Sequence, residues 1–227
     1  MNLKKSALVL IDIQKESQYG VQNLESVIEN SKHLIEACRS QNIPVIYTRH
    51  INRADGKGLS YKDPRKEDGK PVFYCTGTDA IEVMDEIAPN EGEVVIDKFR
   101  WSSFYETSLD IILRSLDVEH VMVGGLVTDG CLMTTVFDGY FRDYEINLVK
   151  DICATTNEGA HMSSILIMAN WVYGIKIYDA VEMVKNLKGE DYYVWESTRP
   201  DELHFTPENM RDVFAKLNNE ATLIKQK

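Results

Sequence analysis

Short runs of aliphatic and β-branched residues alternate along this chain with longer stretches of helical period, and that alternation limits the fold more than any other feature. Ala7–Ile11 reads as a first strand. Leu24, Val27, Ile28, Ser31, Leu34, Ile35 and Cys38 then recur at helical spacing and predict an amphipathic helix with one buried face. Asn42-Ile43-Pro44 breaks it before a second strand, Val45–Thr48. A helix over Asp79–Ile87 stops at Pro89, and a strand follows at Val94–Ile96. Leu109, Ile112, Leu113 and Leu116 mark the next helix, before a strand at Val121–Gly125 and a helix from Gly130 to Arg142. A strand at Ile146–Val149, a helix over Glu158–Trp171, a strand at Ile175–Tyr178 and a helix over Ala180–Asn186 complete the series.

Strands that alternate with helices imply right-handed crossovers. The expected architecture is a three-layer α-β-α sandwich around a six-stranded, mostly parallel sheet covered on both faces. Such sheets hold their ligand at the carboxyl ends of the strands. Two segments stand outside the pattern. Asn52–Pro71 is rich in Gly and Lys and longer than most connections, which suits a lid or binding loop. From Gly189 the chain turns aromatic and polar, with Pro200 and Pro207 as breakers, and ends on an amphipathic helix carrying Met210, Val213, Phe214 and Leu217. We therefore expect one domain over residues 1–187 and an extension over 188–227, packed on that domain or on a neighbouring subunit.

Composition narrows the partners. The chain carries 36 acidic and 25 basic side chains, a formal charge of −11. That balance offers no basic face for nucleic acid or anionic lipid. No run approaches the ~18–20 apolar residues of a membrane helix. The opening MNLKKSALVLIDIQ mimics the start of a signal peptide, but its apolar run ends at Asp12 and Gln14 with no small-residue cleavage site behind it. Cys38, Cys75, Cys131 and Cys153 are scattered, with neither CxxC spacing nor the density of a disulfide framework. A reducing cytoplasm is the expected location, with at most one of the four chemically special.

Three polar residues stand at strand ends. Asp12 interrupts LVLIDIQ, Lys98 follows Val94–Ile96 in VVIDKFRWSSF, and Cys131 sits four residues past Val127 in VGGLVTDGC. Singly, each has an ordinary reading: a turn-forming Asp, a solvated Lys, a small core Cys. In a parallel sheet, however, all three ends face one rim. A helix N-terminus and a neighbouring cation lower a thiol's pKa, and Lys98 supplies such a cation. Asp12 can take the thiol proton and later deliver it to a leaving amine. Gly130 and the small, polar Thr128-Asp129-Gly130 run suit a tight turn whose N–H groups point at an oxyanion.

With these residues in place the chain resembles the isochorismatase-like hydrolase superfamily, and within it the cysteine hydrolases: nicotinamidase, N-carbamoylsarcosine amidase, biuret hydrolase and ureidoacrylate hydrolase. The resemblance runs from about Ser6 to Val184. It rests on ALVLIDIQ, VIYTRHINR, the block from EIAP to TSLDIILRSL, and VMVGGLVTDGCLMTTVFDGYFRDYEINLVKDICAT. It implies a Rossmann-like fold and a catalytic triad of Asp12 as general acid/base, Lys98 as electrostatic partner and Cys131 as nucleophile. It also implies a non-proline cis peptide at Leu126–Val127, with the Val127 and Cys131 N–H groups as oxyanion donors. Gln14 would shape the pocket floor, and Trp101 and Phe104 its walls. His50 and Arg53, after the second strand, would face the same rim, Arg53 suited to a carboxylate or carbonyl.

The departures from the family are informative. Nicotinamidases carry a His-rich metal set after the second strand, whereas TRHINRADGKG holds only His50. The implied enzyme therefore needs no metal or other cofactor, and nicotinamide is disfavoured as its substrate. The expected reaction is two-step acyl transfer on a small amide or ureide, in a homo-oligomer (dimer or tetramer), with the Asn52–Pro71 loop or a neighbour's tail closing the site. Two rivals stay open: an isochorismatase-type enol-ether hydrolase with Asp12 as acid, and a non-catalytic protein that retains the fold.

Overall fold

No residue of β1 (Ser6–Ile11) is exposed, as a strand covered by helices on both sides requires. It occupies the middle of the sheet, pairing in parallel with β2 (Val45–His50) and with β4 (His120–Leu126). β3 (Val94–Lys98) adds outside β2, and β5 (Glu145–Ala154) and β6 (Lys176–Tyr178) add outside β4, all in parallel. Two antiparallel strands follow, β7 (Tyr192–Glu196) on β6 and β8 (Thr222–Ile224) on β7. The sheet order is β3-β2-β1-β4-β5-β6-β7-β8. These features come from a computed structural model, which describes residues 1–226.

The two faces of β1 feed two cores. Leu8 and Leu10 pack under α1 (Leu24–Ser40) and α5 (Ala180–Leu187), with Tyr47, Met122 and Val149 from neighbouring strands. Ala7, Val9 and Ile11 face α2 (Leu109–Ser115), α3 (Met133–Tyr140) and α4 (Glu158–Trp171), together with α6 (Met210–Asn219). The period of two along the strand thus assigns each side chain to its layer. α1 has the one-sided apolar stripe read from the sequence, whereas α4 is apolar nearly all round. Burial explains it: α4 packs on β5 and α3 and is also covered by α6.

The three-layer sandwich and mostly parallel sheet agree with expectation, but the sheet has eight strands, not six. The two extra strands come from the segment read as aromatic and polar. Tyr192, Val194 and Trp195 are buried β-formers, and Trp195 lies opposite Ile177 on β6. The extension thus continues the sheet of its own chain through residue 224; its last residue, Lys227, lies outside the described residues. Asp79–Ile87 is not a helix but two 3-10 turns, Asp79–Ile81 and Asp85–Ile87. β5 is longer than expected, with a register shift that pairs Val123 with Leu148 but Gly125 with Cys153.

Candidate active site

The order 3-2-1-4-5-6 of the parallel strands puts the topological switch point between β1 and β4, where α/β sheets open a crevice. Gly125 lets the two strands close there: its φ is +131°, and a Cβ would fall 2.1 Å from the Ile11 carbonyl oxygen. Asp12, the first residue past β1, has φ +51°. Backbone contacts hold this conformation. Its N–H donates to the Thr48 carbonyl (3.2 Å), and its carbonyl accepts from Gln14 N–H (2.9 Å) and Ser17 Oγ (3.1 Å).

The Asp12 carboxylate is thereby turned into the sheet end. Oδ1 accepts from Thr48 Oγ1 at 2.7 Å, and Oδ2 lies 2.6 Å from Lys98 Nζ. Lys98 is the last residue of β3, in register with His50, and also donates to the Arg100 carbonyl at 3.0 Å. Asp12 is 3% exposed and Lys98 1%. Burying both charges is costly, and their mutual contact offsets that cost. Burial works against the Lys98 charge, yet Asp12 and Cys131 more than compensate, and its pKa is raised.

Cys131 lies in a wide helical turn, Thr128–Leu132, that precedes α3 and follows a cis peptide at Leu126–Val127. The Val127 carbonyl accepts from Gly130 N–H (3.0 Å) and Leu132 N–H (3.2 Å), folding the turn back on itself. The Asp12 carboxylate and the Lys98 ammonium both bear on the protonation of the Cys131 thiol, in opposite directions. Here the structure departs from the expected low-pKa thiol. Burial pushes the Cys131 thiol up to about 12, the Asp12 carboxylate adds to the rise, and Lys98 offsets only part of it. Although Cys131 as a residue is half-buried, its sulfur is enclosed, and low-dielectric surroundings disfavour a thiolate.

A chain of hydroxyls, not anticipated from the sequence, links the two sides. Thr48 donates to Asp12, Ser103 Oγ donates to Thr48 Oγ1 at 3.4 Å, and Ser103 N–H donates to Thr135 Oγ1 at 2.9 Å. Thr135 in turn donates to the Cys131 carbonyl at 2.7 Å. Ser103 stands in the RWSSF motif and Thr135 one turn after Cys131, so their proximity to the motifs was the available signal. The Tyr19 and Tyr74 hydroxyls lie 3.3 Å apart. Burial raises both phenolic pKa values, and the Asp12 charge adds to the effect.

The residues expected to bind substrate divide. His50 and Trp101 line a cleft of about 720 Å³, shared with Phe99, Arg100, Phe137 and Phe141. None of Asp12, Lys98 and Cys131 lines the cleft, although His50, in register with Lys98, does. His50 is the inner contact: burial, then Lys98, lowers its pKa to about 4, and its ring meets Tyr74 edge-on at 5.2 Å. Three assignments require correction. Gln14 is 0% exposed. Its amide is consumed by backbone, accepting from His50 N–H and donating to the His50 and Ile81 carbonyls at 3.0 and 2.7 Å, so it ties loops together. Phe104 is a core residue stacked on Tyr144 at 5.8 Å. Arg53 forks Asp55 at 3.0 and 2.7 Å and lines, rather than the cleft itself, an adjoining depression that shares Phe99, Arg100 and Tyr105 with it.

Among the described residues, no three His, Cys, Asp or Glu side chains are grouped to hold a metal ion. Comparison with known proteins adds the family. The Isochorismatase domain model matches residues 6–176. The chain is 30% identical to the ureidoacrylate amidohydrolase RutB of Yersinia enterocolitica serotype O:8 / biotype 1B over 204 residues, 76% of this chain and 87% of that one. A cysteine hydrolase from Pseudomonas syringae pv. phaseolicola 1448A superposes with a TM-score of 0.74 at 25% identity, covering 83% of this chain and 94% of that one. N-carbamoylsarcosine amidase from Thermoplasma acidophilum superposes with a TM-score of 0.64 at 28% identity, over 78% and 96%. With a family model spanning most of the sheet and all three strand-end residues, the chain belongs to the isochorismatase family.

Proposed function

We propose that this chain is a cysteine hydrolase that cleaves a C–N bond of a small amide or ureide. The observation that carries the reading is the buried Asp12–Lys98 pair at the switch point, whose two charges both bear on the Cys131 thiol. As the substrate carbonyl arrives, Asp12 takes the thiol proton and the sulfur bonds to the carbonyl carbon. Proton transfer neutralises the carboxylate that disfavours a thiolate and leaves Lys98 to favour it, so a resting thiol of high pKa remains usable. The Val127 and Cys131 N–H groups would receive the oxyanion. Asp12 then gives its proton to the departing nitrogen as the C–N bond breaks, leaving a thioester or thiocarbamate. Water adds to that carbon, Asp12 accepts its proton, and the S–C bond breaks to return the thiol and release the acid.

The relatives named for ureidoacrylate and N-carbamoylsarcosine support the substrate class. Trp101 and His50 remain the substrate-binding candidates at the cleft. The hydrolase domain would span 1–187, with 188–227 as an accessory. Free thiols at Cys38, Cys75, Cys131 and Cys153 fit a reducing cytoplasm. Exposed aromatics at the cleft, such as Trp101 at 64%, fit a homo-oligomer. The test is ammonia release from ureidoacrylate and N-carbamoylsarcosine, with isochorismate in parallel. Ammonia release that disappears in Cys131→Ala supports the reading. Turnover of isochorismate alone, undiminished in Cys131→Ala, would overturn it.

A further inference from the structure

The C-terminal segment from β7 to β8 lies beyond the residues the family model matches, 6–176, and it grips one helix at several points. Arg211 on α6 pairs with Glu158 at the start of α4 through both terminal guanidinium nitrogens. Phe214 meets the His161 ring edge-on, centroids 5.8 Å apart at 61°. Farther along α4, the Asn170 side chain accepts from Leu203 N–H at 2.9 Å and donates to the Leu203 carbonyl at 3.1 Å, both buried. These contacts fix α6 and its leading segment against α4 from its first turn to its last.

His161 has a second neighbour that makes this grip consequential. Its Nδ1 lies 3.0 Å from Thr128 Oγ1. Thr128 is fully buried and is the first residue of the turn that carries Cys131. The next residue of that turn is also held from outside, Asp129 Oδ1 accepting from Thr155 Oγ1 at 2.6 Å. Burial and the nearby Lys150 hold the His161 ring below its ordinary pKa and so in its neutral form, in which either tautomer makes one bond with the Thr128 hydroxyl.

We propose that His161 is a positioning residue for the turn bearing Cys131, and that the C-terminal segment acts on the reaction by holding His161 in place through Phe214 and Arg211. The inference rests on Cys131 as nucleophile. Its physical basis is that attack geometry is steep: a displacement of about 1 Å at the reacting atoms can cost ~10²-fold in rate. His161→Leu keeps bulk but removes the bond to Thr128; His161→Asn keeps a polar atom near the Nδ1 position. Thr128→Val removes the same bond from the other side without changing shape, and serves if His161→Leu does not fold. Phe214→Ala removes the segment's contact with the His161 ring and leaves both hydrogen-bond partners in place.

Two readouts are needed: ammonia release from ureidoacrylate, and alkylation of Cys131 by iodoacetamide at pH 9, which reads the turn without any substrate. We expect His161→Leu and Thr128→Val to lower kcat about tenfold with KM within about twofold, and His161→Asn to recover most of the loss. Cys131 alkylation should change in the same variants. Phe214→Ala should lower kcat in the same direction, and combined with His161→Leu it should be no worse than His161→Leu alone, because both act along one path. Unchanged kcat and unchanged alkylation in His161→Leu and Thr128→Val, or losses that multiply in the double variant, would overturn the proposal. Activity surviving Cys131→Ala would instead remove the nucleophile reading beneath it, so the two failures are distinguishable.

Discussion

Asp12→Asn should separate two properties that usually move together: turnover should collapse while the Cys131 thiol becomes easier to alkylate. In the unmodified chain the thiol titrates at about 12, so at pH 8 only ~10⁻⁴ of it is thiolate. Below pH 9 its alkylation rate should therefore climb tenfold per pH unit without a plateau. The Asp12 carboxylate is one cause of that high value. Two unit charges ~4 Å apart at an effective dielectric constant of ~20 interact by ~4 kcal/mol, equivalent to ~3 pK units. Part of this gain is lost, because Lys98 without Asp12 holds its own proton less firmly. Even one unit gives about a tenfold faster alkylation at pH 8. Turnover should fall by ~10²–10⁴, since Asn cannot carry the proton.

The assay is timed iodoacetamide labelling from pH 6 to 10, read by peptide mass spectrometry, with half-buried Cys75 as internal control and near-UV circular dichroism confirming the fold. The slope against pH, rather than the absolute rate, isolates protonation from access. A wild-type plateau below pH 8 would mean a preformed thiolate, with Asp12 acting only as an acid. Labelling of Asp12→Asn no faster than wild type would refute the claim that the carboxylate holds the proton on sulfur. Either result would break the reasoning, and they point to different errors.

Other outcomes follow from the same geometry. Cys131→Ser should abolish ammonia release with an unchanged melting profile, while replacing Cys38, Cys75 or Cys153 by Ala should leave turnover nearly intact; activity in Cys131→Ser would exclude a sulfur nucleophile. Lys98→Met leaves a buried carboxylate unpaired and should destabilise by ~3–5 kcal/mol in urea, less so when combined with Asp12→Asn; simple additivity would mean the pair does not interact. EDTA should not lower turnover, and a loss restored by zinc or manganese would require a metal. His50, held to about 4 when folded against ~6.5 unfolded, favours the folded chain fully above pH ~6.5, an advantage lost as pH falls towards 4 because only the unfolded chain takes up the proton. Its replacement by Asn should remove up to ~3 kcal/mol of acid sensitivity between pH 7.5 and 4.5, and an unchanged difference in urea midpoints would refute this.

What was legible in the sequence was mostly what periodicity and sheet topology control. β1 shows itself as Ala7–Ile11 because a strand buried on both faces must be apolar throughout. Asp12 and Lys98 each had an ordinary reading alone, and stood out only because the strand ends of a parallel sheet share one rim. β7 was missed because Tyr192–Glu196 is short and runs straight into the polar, Pro-broken stretch Ser197–Glu202, which masks its β-forming residues. Gln14 and Phe104 were misassigned for a common reason: standing beside the motif in sequence does not say which way a side chain points. Gln14 turned to the backbone of His50 and Ile81, and Phe104 to Tyr144. The state of the thiol was illegible too, because a helix start and a nearby lysine can be read from sequence whereas the enclosure that outweighs them cannot.

The sheet also explains why lysine is the cation here. Lys98 and Asp12 belong to β3 and to the end of β1, which β2 separates, so their backbones stand two strand spacings apart, about 9.5 Å. A short carboxylate side chain covers only part of that gap. The four-carbon stem of lysine covers the rest, crossing the end of β2 and delivering a compact charge to within 2.6 Å of Oδ2. β2 fills the space beneath with Thr48, whose hydroxyl takes the other carboxylate oxygen. Each oxygen of Asp12 therefore has its own strand to answer to, and the carboxylate is oriented before any substrate arrives. Arginine would bring a broad fork needing several acceptors into a fully enclosed space where the lysine already meets Asp12 and the Arg100 carbonyl. On this geometry Lys98→Arg is not a conservative change: it keeps the charge and loses the fit.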